Sequence, residues 1–257
     1  MRRLVLVTVG AAAAVTAIAL WIGRSIPTVP GNMPGGATAS AINTWMNGPS
    51  YKIMAAMLDP GPEDQVLDVA CGDGAFLARY VQAARYVAGL DRYDVKVELA
   101  RRRLADRIAA GTAEVVEGDA EELPWEDDRF TAVTCMDAFS FFPHPDAFLY
   151  EVHRVLRTGG RAVMMIGAEM PEGSEPRTVL GHVQRNEDDV RRMVEAADFE
   201  MSMAYRPMGG DNRLANAICR RLFGTDQVRI VTAAKPAAVR AEVEVAPVEA
   251  LAVGRGS

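Results

Sequence analysis

From residue 65 onward, short apolar and β-branched runs alternate with amphipathic stretches, and this alternation constrains the fold more than any other feature of the chain. Strands are predicted at 66–70, 86–90, 113–117, 130–136, 161–166, 199–205 and 227–233, with helices at 75–84, 95–110, 146–156 and 187–196. A strand, a helix and a further strand in the same sheet join by a right-handed crossover, so the order predicts parallel strands flanked by helices. The expected class is α/β: a Rossmann-like, doubly wound, mostly parallel seven-stranded sheet with helices on both faces. A ligand then lies beyond the carboxyl ends of the strands, where the strand order reverses.

Four segments fall outside this alternation. Residues 4–23 carry no charge, and about 20 residues at roughly 1.5 Å each span about 30 Å, the thickness of a bilayer core. Residues 1–23 are therefore expected to form one transmembrane helix preceding the domain. A cleaved signal is the alternative, with a small-residue site at "ATAS" (37–40). Residues 24–40, rich in Pro and Gly, read as a linker, and "AINTWMNGPSYKIMAAML" as two short helices broken at Gly48-Pro49, with Ser50 capping the second. Residues 235–257, an Ala-, Val- and Pro-rich stretch, are expected to form a disordered tail, which leaves 41–234 as the domain.

Composition narrows the partners. The net charge is -6 and the basic residues are scattered, so the electrostatic footprint of a nucleic-acid binder is missing and no nucleic acid is expected. Three cysteines, Cys71, Cys135 and Cys219, stand far apart without a Cys-x-x-Cys. That pattern fits free thiols in a reducing compartment, and no metal site is expected.

The chemistry concentrates in "VLDVACGDGAFLARY", residues 66–80. Gly72 and Gly74 permit a tight turn and close approach of backbone to a ligand before a helix begins. A dinucleotide fingerprint wants a third glycine where Leu77 stands, and the loop carries an acid, Asp73, with no basic residue to meet a phosphate. Carboxylates recur near the ends of three successive strands: Asp68 and Asp73, then Asp91, then Asp119. Together they would repel a pyrophosphate and suit a ligand with positive charge and several hydroxyl or amine donors. S-adenosylmethionine, with its sulfonium, α-ammonium, ribose diol and adenine amine, meets that description.

"VLDVACGDG", "VAGLD", "VEGDAEELPW" and "RVLRTGGRAVM" resemble the successive motifs of class I S-adenosylmethionine-dependent methyltransferases, in the small-molecule branch that includes quinone and phospholipid methyltransferases. The resemblance covers residues 65–167 well and runs more loosely to 235. It implies that Asp68, Ala70 and the backbone around Gly72 and Gly74 hold the methionine end. Asp91 would take the ribose hydroxyls, and Asp119 with Ala120 the adenine. Ala70 stands where the family often has glycine, and Thr158 where many members have proline. Taken singly, Asp68 and Asp91 also read as helix caps and Asp119 as a turn residue.

"AFSFFPHPDAF" (138–148) follows the fourth strand, where the resemblance places the methyl acceptor. Phe139, Phe141 and Phe142 read as packing, and Tyr51 either packs or closes over the cofactor. If the acceptor must lose a proton, His144 and Asp137 are the candidate bases. The expected function is methyl transfer from S-adenosylmethionine to a small-molecule acceptor, with a lipid, quinone or other amphipathic compound favoured by a membrane anchor. The alternatives are a membrane-tethered, non-catalytic S-adenosylmethionine-binding module and, disfavoured by Asp73 and Leu77, a nicotinamide-dependent reductase. Arg2 and Arg3 outnumber Arg24, which alone would send the domain outside. The cytosolic methyl donor and the free thiols outweigh a margin of one arginine, so the domain is expected on the cytoplasmic side of the membrane.

Overall fold

A computed structural model of the protein describes residues 36–166, 177–179, 182–207 and 227–237, with 213, 216 and 217 between the last two. Strands β1 (Gln65–Val69), β2 (Tyr86–Asp91), β3 (Ala113–Glu117), β4 (Phe130–Met136), β5 (Leu156–Ile166), β8 (Glu200–Pro207) and β9 (Gln227–Ala234) form one seven-stranded sheet in the order β3-β2-β1-β4-β5-β9-β8. The pairs among β1 to β5 are parallel, while β9 runs antiparallel to both β5 and β8. The strand order reverses between β1 and β4, which places the switch point there. Two short strands, β6 (Arg177–Val179) and β7 (His182–Gln184), pair as a separate antiparallel ribbon in a stretch for which no element is predicted from sequence.

Helices α1 (Gly36–Leu58), α2 (Ala75–Tyr80), α3 (Asp94–Arg103), α4 (Ala105–Ala109), α5 (Pro145–Val155) and α6 (Glu187–Ala196) cover the sheet. Two apolar cores result, one on each face. Tyr51, Met54 and Leu58 of α1, Phe76 and Leu77 of α2, and Val97 and Ala100 of α3 share one core. Phe148, Leu149, Val152 and Val155 of α5 with Val190 and Val194 of α6 share the other. Alternate residues of the central strand serve the two: Val66 faces the first, and Leu67 and Val69 the second.

Several boundaries differ from the sequence expectations. The two helices expected around Gly48-Pro49 are one continuous helix, α1, with Pro49 inside it. Proline removes one backbone hydrogen bond there, but Tyr51, Met54 and Leu58, buried at a spacing of three and then four residues, hold the following turns to the sheet. The same helix takes in 36–40, the end of the expected linker. The expected helix 95–110 divides at Leu104. Lys235, assigned to the tail, belongs to the domain: its ammonium donates to the carbonyls of His153 and Leu156 and to Asp128. Residues 1–23 and 238–257 lie outside the described residues, and among the described ones no helix is long and apolar enough to cross a membrane.

The C-terminal end of α1 is fastened to the sheet by one arginine. Arg161 of β5 donates to the carbonyls of Leu58 at 2.6 Å and Asp59 at 3.0 Å, and to both oxygens of Asp64 at 3.2 and 2.8 Å. Helix carbonyls left over at a C-terminus need such donors. Burial alone would raise the Asp64 carboxyl, but donors on Arg161, Thr131 and the Gly61 backbone outweigh it and hold the group at about 2. A depressed carboxyl contributes stability that is present above its ordinary value of about 4 and lost as pH falls through about 2. Arg161→Leu should therefore lower the unfolding free energy by about 2–4 kcal/mol in denaturant titrations at pH 7, and Asp64→Asn should flatten the acid limb of the stability profile. A loss below about 0.5 kcal/mol, the scale of an ordinary surface substitution, would mean that water replaces Arg161 at the helix end.

Candidate functional site

The site grows from the turn that follows β1. Ala70, Gly72 and Gly74 all adopt left-handed backbone, with φ of 60°, 57° and 71°. Three such residues within five make a tight turn, whose Cys71 and Gly74 N–H groups are taken by the carbonyls of Leu90 and Cys71. Gly72 has the further property that a Cβ built on it would meet nothing within 4 Å. The space it faces is open. Gly74 is the opposite case, since a Cβ there would come within 3.0 Å of the Ala100 side chain and 3.2 Å of its backbone. The loop lies directly on α3.

Asp91, the last residue of β2, joins this loop to the next. Its carboxylate accepts the Gly72 N–H at 2.8 Å and the Tyr93 N–H at 3.1 Å. The Asp91 carbonyl accepts the Gly118 N–H at 3.1 Å, so the ends of β1, β2 and β3 are linked through one residue. Close approach of β2 to the loop also requires Gly89, where a Cβ would stand 2.8 Å from the Cys71 sulfur.

Asp68 lies at the centre of the sheet, 1 % exposed. The Thr134 hydroxyl of β4 donates to its Oδ1 at 2.7 Å. Burial pushes its carboxyl up to about 7, with the Asp91 charge adding to the rise and the Thr134 hydroxyl opposing it. Asp91 is raised for the same first reason, burial, against the donors on Tyr93 and Gly72. Asp73 has a different neighbourhood: Arg103 of α3 reaches its Oδ2 at 3.1 Å and the Ala75 N–H reaches its Oδ1 at 3.2 Å.

Tyr51 of α1 covers this end of the loop. Its ring packs at centroid distances of 5.8 Å on Phe76 and 5.6 Å on Tyr80. Burial and the nearby charges of Asp73 and Asp68 push its hydroxyl well above the ordinary value, while a hydrogen bond with Asn47 and the Arg103 charge act the other way. The tyrosine both packs and borders the acidic cluster.

Of the residues singled out from sequence, Asp68, Ala70, Gly72, Gly74 and Asp91 come together around one turn. Asp119 is exposed and accepts the Glu121 N–H at 3.0 Å, next to buried Ala120. Asp137 follows β4 in left-handed conformation, φ 53°, with its N–H donating to the Met165 carbonyl at 3.1 Å. Asp137 is exposed, and the surrounding protein raises its carboxyl to about 6 by desolvation. His144 is exposed, and its backbone N–H donates to Glu121 at 2.7 Å. Phe139 is buried in an edge contact with Phe148, whereas Phe142 is partly exposed. Thr134, Arg103 and Gly89 were not singled out from sequence. Thr134 carried a readable signal, as a hydroxyl inside an otherwise apolar buried strand; Arg103, one of three consecutive arginines closing a helix, carried none.

Residues 67–164 match the family described as "Methyltransferase domain". A fatty-acid O-methyltransferase of Mycolicibacterium smegmatis is 42% identical over 99 residues, 37% of this chain and 34% of that protein. A ubiquinone/menaquinone biosynthesis C-methyltransferase of Pseudomonas putida is 36% identical over 105 residues, 40% of this chain and 41% of that protein. The chain thus matches less than half the length of these relatives. Among solved structures, a geranyl diphosphate methyltransferase in complex with S-adenosylmethionine superimposes with a TM-score of 0.62 at 16% identity, over 79% of this chain and 92% of that one, a likeness of fold. The matched segment takes in β1 to most of β5 together with the glycine loop, so the likeness to methyltransferase domains covers the site described above.

Proposed function

We propose that the protein transfers a methyl group from S-adenosylmethionine to a small apolar or amphipathic acceptor. The observation that carries this reading is the pair of buried carboxylates, Asp68 and Asp91, beside a left-handed glycine loop whose Gly72 faces open space. Burying carboxylates together is costly unless a cation or donors arrive to meet them, and the donor's ammonium, sulfonium and ribose diol supply both. Asp68 and the backbone of Ala70, Gly72 and Gly74 take the methionine end, Asp91 the ribose, and Asp119 with Ala120 the adenine. When bound, the cofactor supplies an electrophilic methyl group on a sulfonium.

The protein's own part is to hold an acceptor in line with that methyl group in a recess from which water is excluded. An acceptor that is already nucleophilic needs no base. For a hydroxyl or acidic carbon acceptor, Asp137 is better placed than His144, because it directly follows β4 beside the switch point while His144 is tied by its backbone to Glu121. The acceptor class rests on the names of the matched relatives, a fatty-acid and a quinone methyltransferase, and on the uncharged stretch 4–23. That stretch would anchor the chain once in a bilayer with the domain on the cytoplasmic side, where the methyl donor is made.

Labelled methyl from S-adenosylmethionine should enter an apolar product when the protein is incubated with total lipid and metabolite extract. Asp137→Asn should lower turnover by about 10²–10⁴-fold for an acceptor that must be deprotonated, leaving donor affinity unchanged. Binding of S-adenosylhomocysteine without any label transfer would favour the non-catalytic module instead.

Asp68 gives the binding a sign with pH. Its carboxyl, raised to about 7, must lose a proton before it faces a cation. The titratable groups that face it are Asp91 from β2, the Cys71 thiol from the loop, the Cys135 thiol from β4 and the Tyr51 hydroxyl from α1. Affinity for S-adenosylhomocysteine, measured by calorimetry, should rise as pH increases through 7 and lose that dependence in Asp68→Asn. Stability without ligand moves the opposite way: the raised carboxyl favours folding fully below its ordinary value of about 4, and that contribution is lost as pH rises through about 7. A wild-type affinity flat between pH 5.5 and 8.5 would remove Asp68 from the ligand.

The anchor has its own test. Protease added to intact cells, or to spheroplasts where an outer barrier exists, should leave the domain whole; digestion without lysis would place it outside.

A further inference from the structure

Asp73 stood out in the sequence as an acid inside a ligand loop, and its surroundings give it a different task from the one its charge first implies. It is 4 % exposed. One oxygen accepts the first N–H of α2, from Ala75, at 3.2 Å, and the other meets Arg103 at 3.1 Å across a sequence distance of thirty residues. Arg103 is the last residue of α3, and its side chain is 23% exposed. Three residues earlier on the same helix, Ala100 lies against Gly74 so closely that a Cβ on the glycine would stand 3.0 Å from it. Leu104 completes the contact, 3.6 Å from the same position. The C-terminal turn of α3 thus grips the loop twice, by packing at Gly74 and by an ion pair at Asp73.

We infer that Arg103 is a positioning residue for the cofactor loop, holding Asp73 so that the left-handed turn at Gly72 and Gly74 keeps the shape that receives the methyl donor. The inference rests on the reading of this loop as the donor site. Left-handed backbone has few stabilising contacts of its own, and a loop of this kind keeps one shape only when its surroundings over-determine it. Asp91 fixes the loop from the β2 side through Gly72, and Arg103 fixes it from the α3 side through Asp73. Because the ion pair is largely buried, removing one partner leaves a desolvated charge that turns away or takes up a proton, and the loop moves with it.

A purely electrostatic role makes the opposite prediction for one of the two partners. If Arg103 merely offset negative charge near a cationic ligand, its removal would tighten binding, whereas loss of Asp73 would weaken it. A positioning role weakens binding in both cases, and the two losses do not add, because each breaks the same contact.

Calorimetry with S-adenosylhomocysteine on the full chain separates these outcomes. Arg103→Leu and Asp73→Asn should each weaken binding about five- to fiftyfold, a range of about 1–2.3 kcal/mol. The double variant should bind no worse than the weaker single one, and Arg103→Lys should recover part of the loss. Arg102→Leu on the same helix is the control; its pair with Glu98 is exposed, and its affinity should equal that of the wild type. In turnover, KM for the donor should rise in Arg103→Leu while kcat at saturating donor stays within about twofold, the signature of lost uniform binding. Melting without ligand reports whether the variants fold; should Arg103→Leu not fold, Arg103→Lys and the swapped pair Asp73→Arg with Arg103→Asp carry the test, with the swap expected to bind better than Asp73→Arg alone. Unchanged or tighter binding in Arg103→Leu overturns the positioning role. Absence of binding by the wild type would instead overturn the assignment of the loop to the donor.

Discussion

The carboxylate of Asp91 accepts the N–H of Gly72 at 2.8 Å, and the ligand end of the sheet is organised around that bond. Gly72 lies in a turn of three left-handed residues that forms no repeating ladder of its own. Its N–H would otherwise need water or a ligand, since buried backbone donors are almost always satisfied. By taking it, Asp91 ties the end of β1 to the end of β2, and the Gly118 N–H on the Asp91 carbonyl extends the tie to β3. The parallel register makes this possible, because Val69 pairs with Leu90 and Leu90 with Val116, so all three strands end at one level.

That geometry has an electrostatic cost. Asp68, Asp73 and Asp91 are 1 %, 4 % and 6 % exposed, and like charges gathered away from water oppose one another's ionisation. The three are relieved in different ways. Asp73 has Arg103, Asp91 has two backbone donors, and Asp68 has one hydroxyl and a carboxyl raised to about 7. Asp68 is therefore the member whose charge depends most on what enters the site. A phosphate would deepen the repulsion, while a cation removes it, so the unequal relief of the three acids carries the choice of ligand class.

The succession of strands and the glycine turn were legible because both are written locally, as short apolar runs and as Gly at positions where φ is positive. Asp68 and Asp91 were legible for the same reason, each at a strand end. The continuity of α1 through Pro49 was not, because proline is a local stop signal and the contacts that override it, Tyr51, Met54 and Leu58 against the sheet, are tertiary. The pairing of Asp73 with Arg103 was hidden similarly. Nothing separates Arg103 from Arg101 and Arg102 in sequence, yet Arg101 donates to the Val115 carbonyl and Arg102 to Glu98. Helical rotation of about 100° per residue sends three adjacent arginines to three destinations.

The two central strands share a further feature. Ala70 follows β1 and Asp137 follows β4, the two strands that flank the switch point, and both residues are left-handed without being glycine, with φ of 60° and 53°. For alanine that conformation costs roughly 1–2 kcal/mol, and for aspartate less, because its short polar side chain tolerates it. Strain of this size persists where surrounding contacts fix it: the Cys71 N–H is held by the Leu90 carbonyl, and the Asp137 N–H by the Met165 carbonyl. The chain that follows β1 is thus bonded to β2 and the chain that follows β4 to β5, so the donor loop and the candidate base are each held by the neighbour on their own side of the switch point.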